Sequence, residues 1–333
     1  MTTTNPISAT INFNQDGVQH GFLKLPHSHD DSGWGTMMIP ITVARNGEGP
    51  TILFTGANHG DEYEGPIALY DLAHSINANE LNGRVIIVPG MNYPAFRAGK
   101  RTSPIDGGNM NRVFPGNPAG TLTEKIADYF QRTLLPMADF VVDFHSGGKT
   151  MEFVPFCCVH VLEDKAQQAR CVAAMQAFNA PYSMMLLEIE ATNMYDTAAE
   201  SQGKTFISTE LAGGGSASAA TIAIAKKGIR NILRHAGITK GKLEVSNTTM
   251  LDMPDPDCFV FSESDGLFEL CVDLGAEVKA GTLLGRVHDI KRTGQVPTDY
   301  HAKINGVFSG RNFSGQIGMG DFLGMIAVKV EAN

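Results

Sequence analysis

Four short stretches of the 333-residue chain carry residue types that do chemistry. Asn58-His59-Gly60-Asp61-Glu62-Tyr63-Glu64 sets an imidazole and a carboxylate three positions apart, directly after the apolar run TILFT at 51–55. His145 follows a second apolar run, FVVDF at 140–144, and precedes Ser146-Gly147-Gly148. Glu210 closes a third, TFISTE at 205–210, and is followed by Leu211, Ala212 and three glycines. Two imidazoles and a carboxylate form a zinc ligand set that leaves a fourth position open for water. A further carboxylate outside that set can take a proton from the water. His59, Glu62 and His145 are therefore candidate metal ligands, and Glu210 is the candidate general base. The fourth stretch is Arg101 and the Gly-rich segment 106–116, which contains Asn111-Arg112. A guanidinium fork suits a carboxylate, and an amide adds a neutral donor.

Each fragment alone has a plainer reading. H-x-x-E arises by chance, a histidine after a strand is ordinarily a turn residue, and a Gly-rich polar segment is ordinarily a solvated loop. The conjunction carries the argument. Three candidate residues stand at the ends of three apolar runs, the edge at which open α/β sheets bind ligands, with glycine beside them to let backbone approach. Asp143, two residues before His145, could orient it, or simply satisfy a nearby backbone group. His27-Ser28-His29-Asp30-Asp31 reads as a solvated turn, and Met184-Met185-Leu186-Leu187 as a buried strand.

The elements that must position these residues alternate. Strands are expected near 37–44, 51–55, 84–88, 140–144, 155–161, 182–189 and 205–210. Helices are expected near 64–80, 121–137, 164–179 and 217–236, with Thr121 and Glu124 forming a capping box. Residues 97–120 read as one long loop, and 1–34 as a polar, turn-rich extension. Such alternation implies an α/β unit with a largely parallel sheet. After Gly241 helical periodicity stops, and short strand signals separated by turns predict a small all-β domain. The expected division is 1–240 and 241–333.

Composition narrows the class. Lys+Arg is 26 against 35 Asp+Glu, a net charge of −9, which disfavours a nucleic-acid partner. No apolar run reaches the roughly 20 residues that span a bilayer. The first residues, MTTTNPISATINFNQDG, lack a basic region and an apolar core, so a secretory leader is not expected. Five cysteines without framework spacing suggest reduced thiols in a cytoplasmic protein. No Walker motif, no G-x-G-x-x-G after a strand and no G-x-S-x-G elbow is present. A homodimer is the expectation from base rates.

Together, HGDEYEG at 59–65, DGGNMNRVFPG at 106–116, DFHSGG at 143–148 and TELAGGG at 209–215 resemble the succinylglutamate desuccinylase/aspartoacylase family. The likeness covers roughly 50–240, and the β region after 241 resembles the family's second domain. The resemblance implies a zinc carboxypeptidase-like mixed sheet flanked by helices, and hydrolysis of a small N-acyl amino acid. It implies zinc on His59, Glu62 and His145, with Glu210 as general base and acid. It also implies Asn111 and Arg112 on the substrate carboxylate, and Arg101, with Arg97 as a competitor, on the scissile carbonyl. One departure is Asn109, where zinc carboxypeptidases often carry an aspartate supporting a histidine ligand. An acetylated diamino acid is the expected substrate, with N-acetyl-aspartate or N-succinyl-glutamate types as alternatives. A free side-chain amine needs an acidic or carbonyl partner, for which Glu152, Glu188, Glu190 and Asp196 are candidates. A rival reading rests on 272–284, which resembles the repeat of biotinyl and lipoyl carriers, with Lys291 near the carrier position. A non-catalytic sensor is a third reading, which a missing catalytic residue would favour.

Overall fold

The computed structural model describes residues 4–188 and 191–330. Its centre is a sheet in which strands Gly83–Val88, Thr51–Gly56, Phe140–His145 and Thr205–Glu210 run parallel and adjacent. The first three are rich in buried apolar residues, as expected of strands covered on both faces, and Thr205–Glu210 is largely buried with Phe206 and Ile207 in the core. Helices Glu64–Ser75, Lys165–Phe178 and Ala219–His235 cover one face, where Leu69, Met175, Phe178, Ile229 and Ile232 pack on Phe54, Ile87 and Val142. On the other face Ile126, Phe130, Leu134 and Tyr195 pack on Leu53, Ile86, Val141 and Phe206.

The sheet is mixed rather than largely parallel. Gly17–Pro26 and Thr36–Asn46 form a long antiparallel hairpin, and the second strand joins Gly83–Val88 antiparallel. On the far side Phe156–Val159 runs antiparallel to Thr205–Glu210, then parallel to Tyr182–Met185, which is parallel to Thr249–Asp252. The first hairpin strand lies inside the extension read as polar turns. Its burial alternates at Leu23 and Leu25, an edge-type strand whose polar positions mask the pattern.

Residues after 241 are mainly strands. Leu267–Leu270 pair with Gly285–His288, which continue to Thr298–His301, in a separate antiparallel four-stranded sheet. The connection to the α/β part is continuous. Thr249–Asp252 pairs with Phe322–Lys329, and Gly306–Asn312 pairs with Met151–Phe153. Lys291 lies on the turn after strand Leu283–His288, where its N–H donates to Asp289 Oδ1 at 2.8 Å.

The region from 121 to 137 is helical, as Leu122–Tyr129, a π-helical turn Phe130–Leu134 and Leu135–Met137. Thr121 and Glu124 close the expected capping box. The expected loop at 97–120 begins inside a short helix, Tyr93–Ala98, and contains a 3₁₀ turn, Met110–Arg112. All five cysteines are free, four of them buried.

Candidate active site

Strand register places the catalytic candidates side by side. Glu210 pairs with His145 across parallel strands, and the next strand ends beside them at Gly56, paired with Phe144. The chain then turns through Ala57 and Asn58 to bring His59 and Glu62 over the same edge. That turn is tight: a Cβ on Gly60 would lie 2.0 Å from the backbone carbon of Ala95. Only glycine allows this approach to helix Tyr93–Ala98.

The ligand atoms of His59, Glu62 and His145 lie within 4.8 Å of one another. Glu62 is buried and bridges the rings, with His59 Nδ1 2.8 Å from Oε1 and His145 Nδ1 2.9 Å from Oε2. Ser146 N donates to the same Oε2 at 3.1 Å. Behind the site, His145 Nε2 lies 2.8 Å from Asp143 Oδ2, leaving Nδ1 facing Glu62. Asp143 is itself fixed, since Thr55 Oγ1 donates to it at 2.6 Å and Asn58 Nδ2 at 3.0 Å. Asp143 is therefore the group that orients a histidine. Asn109, the position where such support was looked for, instead accepts from Asn111 N and caps the 3₁₀ turn.

The donor set fits a zinc ion. Two imidazoles and a carboxylate bring ligand atoms within 4.8 Å of one another, and an orienting carboxylate stands behind one ring. Electrostatics agree. Burial works to raise the Glu62 carboxyl, but His59 and His145 outweigh it and hold the group ionised. Burial keeps His59 below the usual imidazole range. Glu210 is pushed well above the carboxylate range, first by burial and then by the Glu62 charge, and its Oε2 is buried without a partner among the described residues. A carboxyl with an elevated proton affinity beside a metal site suits proton transfer.

Arg101 reaches this centre, with Nη1 3.8 Å from Glu62 Oε1. Its competitor Arg97 lines a surface cleft with His27, His29, Tyr93 and Ile105, and no described ion pair joins it to Glu62. The His27–Asp31 turn contributes to none of the clusters among the described residues that could hold a metal. Asn111 is buried, and its Oδ1 accepts from Tyr195 N at 3.0 Å and Asn58 Nδ2 at 3.3 Å, which leaves its amide N–H groups as the donors to offer. Arg112 donates from Nη1 to the Asn111 carbonyl at 2.7 Å, fixing one end of its fork. The loop carrying these two is tied to the helix Leu122–Tyr129 by Asp106, which accepts from Thr123 N at 2.7 Å and Thr123 Oγ1 at 2.8 Å.

Arg112 and Glu210 share a cavity of about 360 Å³. Its other walls are Met151, Phe153, Phe156, Leu186, Leu187 and Glu188, with Phe259, Phe261, Phe322 and Met325 from beyond residue 250. Leu186 and Leu187 thus belong to a cavity wall, beyond the end of strand Tyr182–Met185. Gly213 lets the glycine turn after Glu210 close on this region, since a Cβ there would lie 2.1 Å from the Met151 carbonyl and its φ is +148°. Two further groups were given no role by the sequence reading. Glu64 is raised to about 7 by burial beside the metal cradle. His160 sits between carboxylates that are distant in sequence, so no local spacing marks it.

Comparison with known proteins places this geometry. Residues 48–236 match the succinylglutamate desuccinylase/aspartoacylase catalytic domain. An N-alpha-acetyl-L-2,4-diaminobutyric acid deacetylase from Halomonas elongata is 53% identical over 330 residues, covering 98% of this chain and 96% of its own. The product-bound ectoine utilization protein EutE (DoeB) from Ruegeria pomeroyi superposes with a TM-score of 0.96 at 64% identity, over 98% of this chain and 99% of its own. A succinylglutamate desuccinylase/aspartoacylase structure from Rhodobacter sphaeroides gives 0.93 at 36% identity, over 98% and 100%. The chain therefore belongs to the succinylglutamate desuccinylase/aspartoacylase family and is an enzyme of that amide-hydrolysing class.

Proposed function

We propose that this protein is a zinc-dependent deacetylase that converts N-alpha-acetyl-L-2,4-diaminobutyrate to 2,4-diaminobutyrate and acetate, as a cytoplasmic enzyme of ectoine breakdown. The observation that carries the reading is the convergence of His59, Glu62 and His145 beside Glu210 at one sheet edge, in a chain similar throughout its length to the Halomonas deacetylase. The described helices include none long and apolar enough to cross a membrane.

His59, Glu62 and His145 would hold the zinc, which supplies the acidity that turns a water into a nucleophile near neutral pH. Glu210 takes the proton of the attacking water at its unpartnered oxygen and returns it to the departing amine. Arg101, adjacent to Glu62, faces the amide oxygen and stabilises the charge that develops on it. Asn111 and Arg112 hold the α-carboxylate and so fix which carbonyl is presented. The apolar walls keep bulk water from the reacting amide.

The test is a deacylation screen of zinc-loaded protein against N-alpha-acetyl-diaminobutyrate, N-acetyl-aspartate and N-succinyl-glutamate. Preferred release of acetate from the first is expected. A flat response would remove the substrate assignment while leaving the family in place. Chelation should abolish turnover and zinc should restore it; turnover that survives complete metal removal would overturn the zinc assignment.

A further inference from the structure

The four carboxylates considered as partners for a substrate amine do not stand equally. Glu152 is spent on Arg311, whose Nη2 and Nε donate to it at 2.6 and 2.8 Å. Glu190 lies outside the described residues. Glu188 remains as the acidic side chain that lines the cavity together with Arg112 and Glu210. It is mostly buried and stands 3.4 Å from His160 Nε2, while Glu200 holds the ring's other nitrogen at 2.9 Å. Asp196 completes the group: ligand atoms of His160, Glu188 and Asp196 lie within 4.8 Å of one another. Asp196 is 93% buried (7% exposed), and its described hydrogen bonds use only Oδ1, toward Thr197. One imidazole thus stands among three carboxylates, next to the catalytic cavity.

Burying that much negative charge is costly unless a cation balances it. Building on the function proposed above, we propose that Glu188 is the specificity residue that accepts the substrate's side-chain ammonium, with His160 as the positioning residue beside it. A single cavity would then recognise both ends of a diamino acid, the carboxylate through Arg112 and the ammonium through Glu188. A neutral or acidic side chain would leave the carboxylate cluster buried and unpaired, which selects against it. A divalent cation could use the same oxygens. The substrate's own cation is the better fit, because Glu188 opens into the cavity where the substrate must lie.

The experiment compares zinc-loaded wild type with E188Q. It measures kcat/KM on N-alpha-acetyl-diaminobutyrate and N-alpha-acetyl-2-aminobutyrate, which lacks only the amine. Calorimetric binding of the two free amino acids reads the same contact without turnover. Wild type should prefer the diamino compound by about ten- to a hundredfold, the worth of one charge-assisted hydrogen bond. E188Q should lose most of that preference, mainly through KM, and E188D should keep part of it. Where E188Q fails to fold, E188D and H160Q in the binding assay decide, both showing a reduced preference. A wild type that hydrolyses the diamino substrate, with variants that keep its full preference, overturns this assignment alone. A wild type indifferent to the amine overturns the substrate assignment together with it. Zinc content should be the same in wild type and E188Q; a second bound metal that disappears in E188Q would make the cluster a metal site and overturn the proposal.

Discussion

At the scale of single residues, the roles separate by which quantity they move. Glu210→Ala should bind zinc as the wild type does and lose about 10²- to 10⁴-fold in kcat, the usual contribution of a positioned acid or base. Metal analysis alongside steady-state kinetics checks this, and near wild-type kcat would remove Glu210 from the mechanism. Arg101→Ala should lower kcat by about 10²- to 10³-fold, because the amide oxygen gains its charge only in the transition state. Arg112→Ala should act mainly on KM, since the α-carboxylate is bound equally before and during reaction. If the two arginines gave the same pattern, their division of labour would be wrong. Asp143→Asn should weaken zinc binding by about 10- to 100-fold, measured by competition with a chelator, because Asp143 orients His145.

At the scale of elements, close backbone contact keeps those residues in place. Gly60 meets Ala95 and Gly213 meets Met151 at distances that no side chain can enter. Gly60→Ala should therefore destabilise the protein by about 2 kcal/mol or more through overpacking, and displace His59 from the ligand set. Thermal melting and zinc affinity should fall together; a melting loss with unchanged zinc affinity would show that the turn does not set the ligand geometry. The same elements show what could be read beforehand. The runs at 51–55 and 140–144 were legible because strands buried on both faces are rich in apolar residues, and 205–210 through Phe206, Ile207 and its β-branched threonines. The three-residue strand Met151–Phe153 and the six-residue helix Tyr195–Glu200 went unread, since neither is long enough to show a period. The residues at the strand ends were legible as chemistry. His160 was not, because Glu188 and Glu200 reach it through the fold and from 28 and 40 positions away.

At the scale of the whole molecule, a surface clasp ties helix Ala219–His235 to the segment that leads into strand Thr249–Asp252. Arg230 donates to Glu244 at 2.8 and 2.7 Å, and Arg234 at 2.7 Å. Hydrogen bonds from Arg230 and then Arg234 hold the Glu244 carboxyl at about 2, below its ordinary 4.5. A folded-state value below the unfolded one stabilises fully above pH 4.5, and that stability is lost as pH falls toward 2. The clasp is partly exposed, so it contributes about 1 kcal/mol or less. Urea unfolding should find Glu244→Gln less stable than wild type at pH 7, with the gap narrowing as pH falls below 4.5. A gap independent of pH would mean that Glu244 acts by packing rather than charge.

The cavity wall is drawn from two distant parts of the chain. Every residue proposed for the bond-breaking step lies between 59 and 210, inside the span shared with the family's catalytic domain. Phe259, Phe261, Phe322 and Met325 lie beyond it. Part of the substrate's surroundings thus comes from outside that span, facing Arg112 and Glu188 within it. Changes at those four positions reshape the far wall without touching any residue of the cutting step. Substitution at Phe259, Phe261, Phe322 or Met325 is therefore a route to altered substrate fit that leaves the bond-breaking residues as they are.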